Sequence, residues 1–167
     1  PFLEPEIQKG WEFGANIKQD RIFTPGDSFR FKAVYFDMDV ENYVTGCGVQ
    51  PKVYFCNAKG TSQVRGVELQ GMYDTGGAFL GLSYTYTTAD LPSQVDGLGA
   101  HSYLPEHVLT ATGGLRFLDQ RLTVGTRVSY TSDSTVGGIN VFPGSSYASA
   151  TMPGYTLVDL FTSYKFD

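Results

Sequence analysis

The feature that most constrains this chain is a period-two alternation of apolar and polar residues, because such alternation is typical of β-strands with one apolar face. In the first segment, Trp11 and Phe13 alternate with Glu12 and Gly14. Helical periodicity is nearly absent. The alternation predicts seven strands, centred on residues 11–18, 29–36, 66–73, 80–87, 109–117, 122–130 and 158–166. Four apolar residues interrupt the polar face: Val34, Phe36, Met72 and Phe161.

The connections between the predicted strands alternate in length. Residues 74–77 and 118–120 form tight hairpin turns, and residues 24–27 form a modest turn. The other joins span roughly residues 41–63, 89–106 and 132–154. Short turns at one end, long loops at the other and Tyr or Phe near strand ends are typical of outer-membrane barrels. With their flanks the strands reach about 10–12 residues, near the length that crosses a bilayer.

The predicted fold class is therefore all-β, an antiparallel transmembrane β-barrel segment. A soluble β-sandwich also alternates, with its apolar face inward, and remains an alternative. Seven is an odd number, and bacterial single-chain barrels have an even number of strands. Either one strand escapes the pattern or the chain is part of a larger barrel.

Composition excludes several functional classes. The chain has 167 residues, with 12 Lys and Arg against 17 Asp and Glu, so its net charge of −5 argues against nucleic acid as a partner. Two histidines and scattered carboxylates do not form a recognisable nucleophile triad, and we expect no enzyme activity. No apolar stretch approaches the roughly 18 residues of a membrane-spanning helix.

The two cysteines, Cys47 and Cys56, predict a loop-closing disulfide, with two unpaired thiols as the alternative. No histidine or second cysteine pair lies near them in the sequence, which argues against a zinc site. A disulfide places this loop in an oxidising compartment such as the cell surface.

Several segments carry a signal beyond their periodicity. The first is LEPEIQKGWEFG, from Leu3 to Gly14, which resembles a segment that opens a late strand in the 22-stranded barrel of the TonB-dependent outer-membrane receptors. FRFKAVYFDMDVENYV resembles the next strand, and Asn57 followed by VRGVEL resembles another. LSYTYTTA, LPEH and PGYTLVDLFTSYKF continue the match in order, so the resemblance covers nearly the whole chain.

The resemblance implies that residues 1–167 are part of a single receptor barrel domain, incomplete at both ends, with about seven strands and without the plug domain. The phrases RFLDQRLTVGTRVSY and PGYTLVDLF, with the two cysteines, look most like the haem and haemoglobin receptor branch. The implied function is TonB-dependent uptake of haem from a haemophore or haem protein, at the outer membrane of a Gram-negative bacterium. A siderophore receptor and a small independent barrel or porin are the alternatives.

The implied partners are outer-membrane lipid, the rest of the barrel and plug, the TonB complex through the plug, and a haemophore or haem protein. Haem is expected as transported ligand, with no cofactor bound by this segment alone and the axial ligands outside it. His101 and Tyr103, in a long loop, are candidate haem or ligand contacts. A polar wall facing the barrel lumen is predicted from Glu12, Lys18, Arg30, Lys32, Glu68, Arg116, Arg127, Asp159 and Lys165.

Overall fold

The structure is a computed structural model, and it describes residues 2–47, 52, 54–57, 61–90, 105–136 and 150–166. These residues form eleven strands: β1 (Ile7–Asp20), β2 (Ser28–Glu41), β3 (Val44–Cys47), β4 (Tyr54–Asn57), β5 (Thr61–Asp74), β6 (Ala78–Asp90), β7 (His107–Phe117), β8 (Leu122–Thr131), β9 (Ser134–Val136), β10 (Ala150–Met152) and β11 (Tyr155–Tyr164). Within the described ranges no helix has the length and hydrophobicity to cross a membrane.

Seven strands form one antiparallel sheet in the order β1-β2-β5-β6-β7-β8-β11. This confirms the seven predicted strands and their antiparallel arrangement. Two small hairpins, β3–β4 and β9–β10, lie within the connections that follow β2 and β8, and the alternation did not predict them. β1, β2 and β5 each have 14 residues, longer than the predicted segments.

The strand register separates an apolar face from a polar face. Directly paired residues in an antiparallel sheet point to the same side, so each face can be followed across strands as a row of paired residues. One row of the apolar face is Ile17–Phe31–Gly71–Leu82–Ala111–Val128–Val158. Aromatic residues occur near both margins of this face, for example Trp11 and Phe117.

The sheet has almost no core of its own. Val34 is the only buried apolar side chain among the described residues, whereas Trp11, Leu80 and Leu160 are largely exposed. Contiguous exposed apolar surface of this extent marks an interaction with lipid or protein. The apolar face therefore needs an apolar environment outside the described chain.

The four apolar exceptions on the polar face each pair directly with a glycine. Their pairs are Val34–Gly14, Phe36–Gly66, Met72–Gly81 and Phe161–Gly125, and Met38–Gly10 and Phe79–Gly114 follow the same rule. A Cβ added at Gly66 or Gly114 would come within 2.6 Å of a ring carbon of Phe36 or Phe79. The large side chain occupies the space over its glycine partner, an arrangement that shields the bare backbone.

The two ends of the sheet differ in their connections. At the short-turn end, residues 21–27, 75–77 and 118–121 join the strands, which confirms the predicted turns. Leu118, Asp119 and Gln120 have φ values of 53°, 53° and 68°, and Gly76 has φ of 85°. The joins 42–60, 91–106 and 132–154 lie at the opposite end, called here the long-connection end.

Candidate functional site

The predicted polar-wall residues fall on one face of the sheet. By register, eight of them share the polar face: Glu12, Lys18, Arg30, Lys32, Glu68, Arg116, Arg127 and Asp159. The ninth, Lys165, follows the end of β11, where its backbone N–H donates a 2.9 Å hydrogen bond to the Arg121 carbonyl. The polar face therefore presents the charged groups that a polar ligand could contact.

A groove of about 630 Å³ lies on this face toward the short-turn end. It is lined mainly by two successive rows, Asn16–Lys32–Gln70–Ser83–Thr110 and Lys18–Arg30–Met72–Gly81–Thr112. Because three of its lining residues are cationic, we call it the basic groove. Its volume falls in the range of small-molecule sites.

The cations of the basic groove are only partly neutralised. Arg30 donates from Nη1 to the Asp20 carboxylate at 2.9 Å. Lys18 lies directly opposite Arg30, and in the described part of the chain neither Lys18 nor Lys32 forms an ion pair or side-chain hydrogen bond. Like charges directly opposite each other destabilise a sheet, so this arrangement has no structural benefit of its own.

A second charged group at the short-turn end is fully self-contained. Arg116 binds both carboxylate oxygens of Asp74, at 2.7 and 2.8 Å, and donates to the Gly76 carbonyl at 3.0 Å. Its guanidinium also lies 4.7 Å from the centre of the Phe79 ring. Bidentate geometry makes this a strong ion pair, and it leaves little donor capacity for a ligand.

The turn between β1 and β2 is organised by a buried carboxylate. Asp27 accepts hydrogen bonds from the backbone N–H groups of Ile22, Phe23 and Thr24 and from the Tyr73 hydroxyl, at 2.7–2.9 Å. Burial alone would raise the pKa of Asp27. The hydrogen bonds from Phe23, the Tyr73 hydroxyl, Thr24 and Ile22 outweigh burial and lower the pKa to about 2.

At the long-connection end, side-chain hydrogen bonds fasten the segment before β1 to the connection after β2. The Asn57 side chain accepts from the Glu4 N–H and donates to the Glu4 and Asn42 carbonyls, and the Val44 N–H donates to Glu6. A smaller pocket of about 300 Å³ lies nearby on the polar face, lined by Glu6, Gln8, Val40, Tyr43, Ser62 and Val64. Among the described residues the buried Ser62 hydroxyl has no hydrogen-bond partner.

The predicted ligand contacts His101 and Tyr103 lie outside the described residues. The other histidine, His107, begins β7 on the apolar face, where the Tyr84 hydroxyl lies 2.9 Å from its Nδ1 and the Tyr86 ring stacks at 5.0 Å.

In the backbone register Cys47 is opposite Tyr54 and Thr45 is opposite Cys56, so the two cysteines are one diagonal step apart. No set of His, Cys, Asp and Glu in the described ranges is arranged to hold a metal ion.

Sequence reasoning missed Asp27 and Ser62. The Thr24-Pro25-Gly26-Asp27 stretch signals a turn, but a strand pattern does not reveal that three backbone N–H groups and a tyrosine converge on one carboxylate. Ser62 precedes the recognisable part of the strand pattern. No sequence signal distinguishes it from a solvated serine.

Comparison with known proteins identifies the sheet. A protein-family model described as "TonB dependent receptor-like, beta-barrel" matches residues 1–167. A curated relative, the heme/hemopexin utilization protein C of Haemophilus influenzae, is 26% identical over 184 residues, covering 98% of this chain and 24% of its own length. The chain therefore spans about a quarter of that relative.

Two solved structures share the fold. A double mutant of the Serratia marcescens hemophore receptor HasR, in complex with its hemophore HasA and heme, matches with a TM-score of 0.70 and 26% identity, over 99% of this chain and 27% of that one. The FrpB iron transporter of Neisseria meningitidis (F3-3 variant) matches with a TM-score of 0.70 and 20% identity, over 96% of this chain and 23% of that one. The chain belongs to the TonB-dependent receptor family, and its seven-stranded sheet is a segment of that family's β-barrel.

Proposed function

We propose that this chain forms barrel wall and extracellular loops of an outer-membrane, TonB-dependent receptor that takes up haem from a haemophore or haem protein. The observation that carries the proposal is the match over 99% of the chain to a receptor solved with its hemophore and heme, at 26% identity. The Haemophilus influenzae relative, named for heme and hemopexin utilization, supports it at equal identity. The FrpB likeness, at 20% identity, supports the fold alone.

The proposed orientation follows from the two faces and the two ends. In outer-membrane barrels the apolar side faces lipid, the lumen side is polar, short turns face the periplasm and long loops face outward. The apolar face then contacts outer-membrane lipid in a Gram-negative bacterium, and the polar face is the lumen wall. β1 and β11 form the two edges of the sheet and are exposed along their whole length. In the proposed barrel they pair with strands from the rest of the receptor.

The proposed mechanism involves no covalent chemistry. Extracellular loops and the plug capture the ligand, and TonB acts on the plug so that the ligand passes through the lumen. His101 and Tyr103 are proposed ligand contacts in one of these loops. Taken together, the polar-wall residues contact water and, over part of the wall, the plug.

We propose that Cys47 and Cys56 form a disulfide in the extracellular connection after β2. The diagonal register of the two residues supports it, as does the absence of a free cysteine from the described part of the chain. Closing so short a loop stabilises the folded protein by about 2–3 kcal/mol. Thiol labelling of the unfolded, unreduced receptor checks the bond: labelling before reduction at these two positions would contradict it.

The function is tested by expressing the full-length receptor in a Gram-negative host that cannot synthesise haem and lacks its own haem receptors. We expect growth on haem or haemoglobin, and no growth when TonB is deleted. Growth only on a ferric siderophore, in an otherwise matched iron-starved host, would replace the haem proposal by the siderophore alternative.

A further inference from the structure

We propose that the basic groove is a transit site, which binds the carboxylate groups of the transported ligand in the periplasmic half of the lumen. The inference rests on the proposed function, because haem is an amphipathic ligand with two carboxylates. It concerns the passage of the ligand through the barrel, which is separate from its capture by the extracellular loops.

The charge balance of the groove is the first argument. Lys18, Arg30 and Lys32 contribute three positive charges, and the Asp20 carboxylate, bonded to Arg30 at 2.9 Å, offsets one. Lys18 and Lys32 form no ion pair within the described ranges. On β5 the acidic Glu68 lies one diagonal step from Lys32 in the register, and in the described part of the chain it forms no ion pair with it. The two lysines, on adjacent strands, therefore complement a ligand with two carboxylates.

Two other arginines of the polar face provide the contrast. Arg116 is bonded bidentately to Asp74, and Arg127 lies directly opposite the acidic Asp159 in the register. In both cases an acidic residue is bonded to the arginine or lies opposite it. The β1–β2 part of the wall differs, because Lys18 is opposite another cation, Arg30.

The other lining residues fit the same class of ligand. Asn16, Gln70 and Ser83 add hydrogen-bonding side chains from three strands, and Met72 adds a flexible apolar surface. The groove of about 630 Å³ is large enough for a cofactor-sized molecule. Charge, polarity and size therefore favour an amphipathic carboxylate over a small inorganic anion.

The position of the groove determines which step it affects. Lys18 is two residues from the end of β1 and Arg30 two residues from the start of β2, both at the short-turn end. That end is the periplasmic one in the proposed orientation. Loss of the two lysine charges should then slow delivery to the periplasm and leave capture at the cell surface unchanged.

The test uses the full-length receptor in the haem-requiring host, with the double variant Lys18→Gln/Lys32→Gln. We expect unchanged binding of haem to whole cells and about a fivefold fall in the uptake rate, as expected for the loss of two partly solvated charge contacts. Lys18→Arg/Lys32→Arg, which keeps both charges, should transport at the wild-type rate. Lys9→Gln is the matched control, because Lys9 lies on the apolar face, outside the groove, and forms an ion pair with Glu41.

A second probe identifies the source of the carboxylates. Haem dimethyl ester lacks free carboxylates, so wild type and the double glutamine variant should take it up at equal rates. Equal uptake of haem itself by both proteins would overturn the transit site and leave the proposed function standing. Failure of the wild type to take up haem would overturn the proposed function and this inference with it.

One further outcome assigns the groove to another occupant. Carboxylates of the receptor's own plug could fill it instead of those of the ligand. The glutamine variant would then admit large antibiotics without any ligand present, and its uptake defect would be the same for haem and its ester. That result would overturn the transit site.

Discussion

Replacing Gly125 by alanine tests whether glycine partners determine where the polar face accepts large apolar side chains. Gly125 pairs with Phe161 on one side and with Gly114 on the other, and Gly114 pairs with Phe79. A Cβ at position 125 would overlap the edge of the Phe161 ring and would lie 2.6 Å from the Gly113 carbonyl oxygen. Both atoms are closer than normal Cβ contacts allow.

The two clashes differ in how easily they are relieved. The Phe161 ring can rotate away, but the Gly113 carbonyl belongs to a paired strand and cannot move without disturbing the ladder. Overpacking a closely packed site lowers the free energy of unfolding by about 1–3 kcal/mol, and we expect a loss in that range for Gly125→Ala. Gly77→Ala is the matched control, since nothing lies within 4 Å of a Cβ there, and it should stay within about 0.5 kcal/mol of wild type.

The assay is urea unfolding of the full-length receptor in lipid vesicles, read by heat-dependent migration on gels. The double variant Gly125→Ala/Phe161→Ala separates the two clashes, because it removes the ring and keeps the carbonyl. Its cost should be smaller than the sum of the single costs by about 0.5 kcal/mol or more. Additive costs, or a Gly125→Ala variant as stable as Gly77→Ala, would refute the reasoning.

Three further changes test other parts of the sheet. Asp27→Asn should lower the unfolding temperature at neutral pH, and the difference should vanish as the pH falls from about 4 to about 2. A carboxylate with a lowered pKa stabilises the folded protein only while it is ionised, and this contribution is lost as the pH falls through its folded-state pKa. Thermal melts at several pH values check this. In urea titrations, Arg116→Met should lower the free energy of unfolding by about 1.5–3 kcal/mol, because it breaks the bidentate bond to Asp74. Lys9→Gln, at an exposed ion pair, should lower it by less than about 1 kcal/mol. Val128→Arg, in the middle of the apolar face, should destabilise by about 2–4 kcal/mol in vesicles, and an equal cost for Ser129→Arg on the polar face would contradict the assignment of the faces.

The sequence predicts the strands well because each strand has one apolar face. It predicts their ends poorly, because hydrogen bonding continues beyond the apolar band. In β1 the register continues to Ile7, yet Lys9 is opposite Asp39 on the apolar face, so the alternation no longer has an apolar side. β3–β4 is missed for a related reason: Tyr54 and Phe55 are neighbours on opposite faces of β4 and are both exposed, so no alternation marks this strand.

The exceptions on the polar face show what a single sequence lacks. Phe36 and Phe161 look like errors in the alternation until their partners are known. Gly66 is 30 positions from Phe36 and Gly125 is 36 positions from Phe161. Only the register between strands brings each ring over its glycine, and local periodicity carries no information about that pairing.

The same dependence on register links the turn at Asp27 to the basic groove. In sequence, Lys18 and Arg30 are ordinary polar-face residues of two strands, and only their direct pairing places two cations side by side. A slip of one residue would turn one of these strands' polar residues toward the apolar side. The join between β1 and β2 fixes the pairing: the Arg21 N–H donates to the Asp27 carbonyl, and the Asp27 carboxylate holds three further N–H groups. The buried turn carboxylate therefore helps to fix the register that determines the charge pattern of the polar face, although it lies outside the groove.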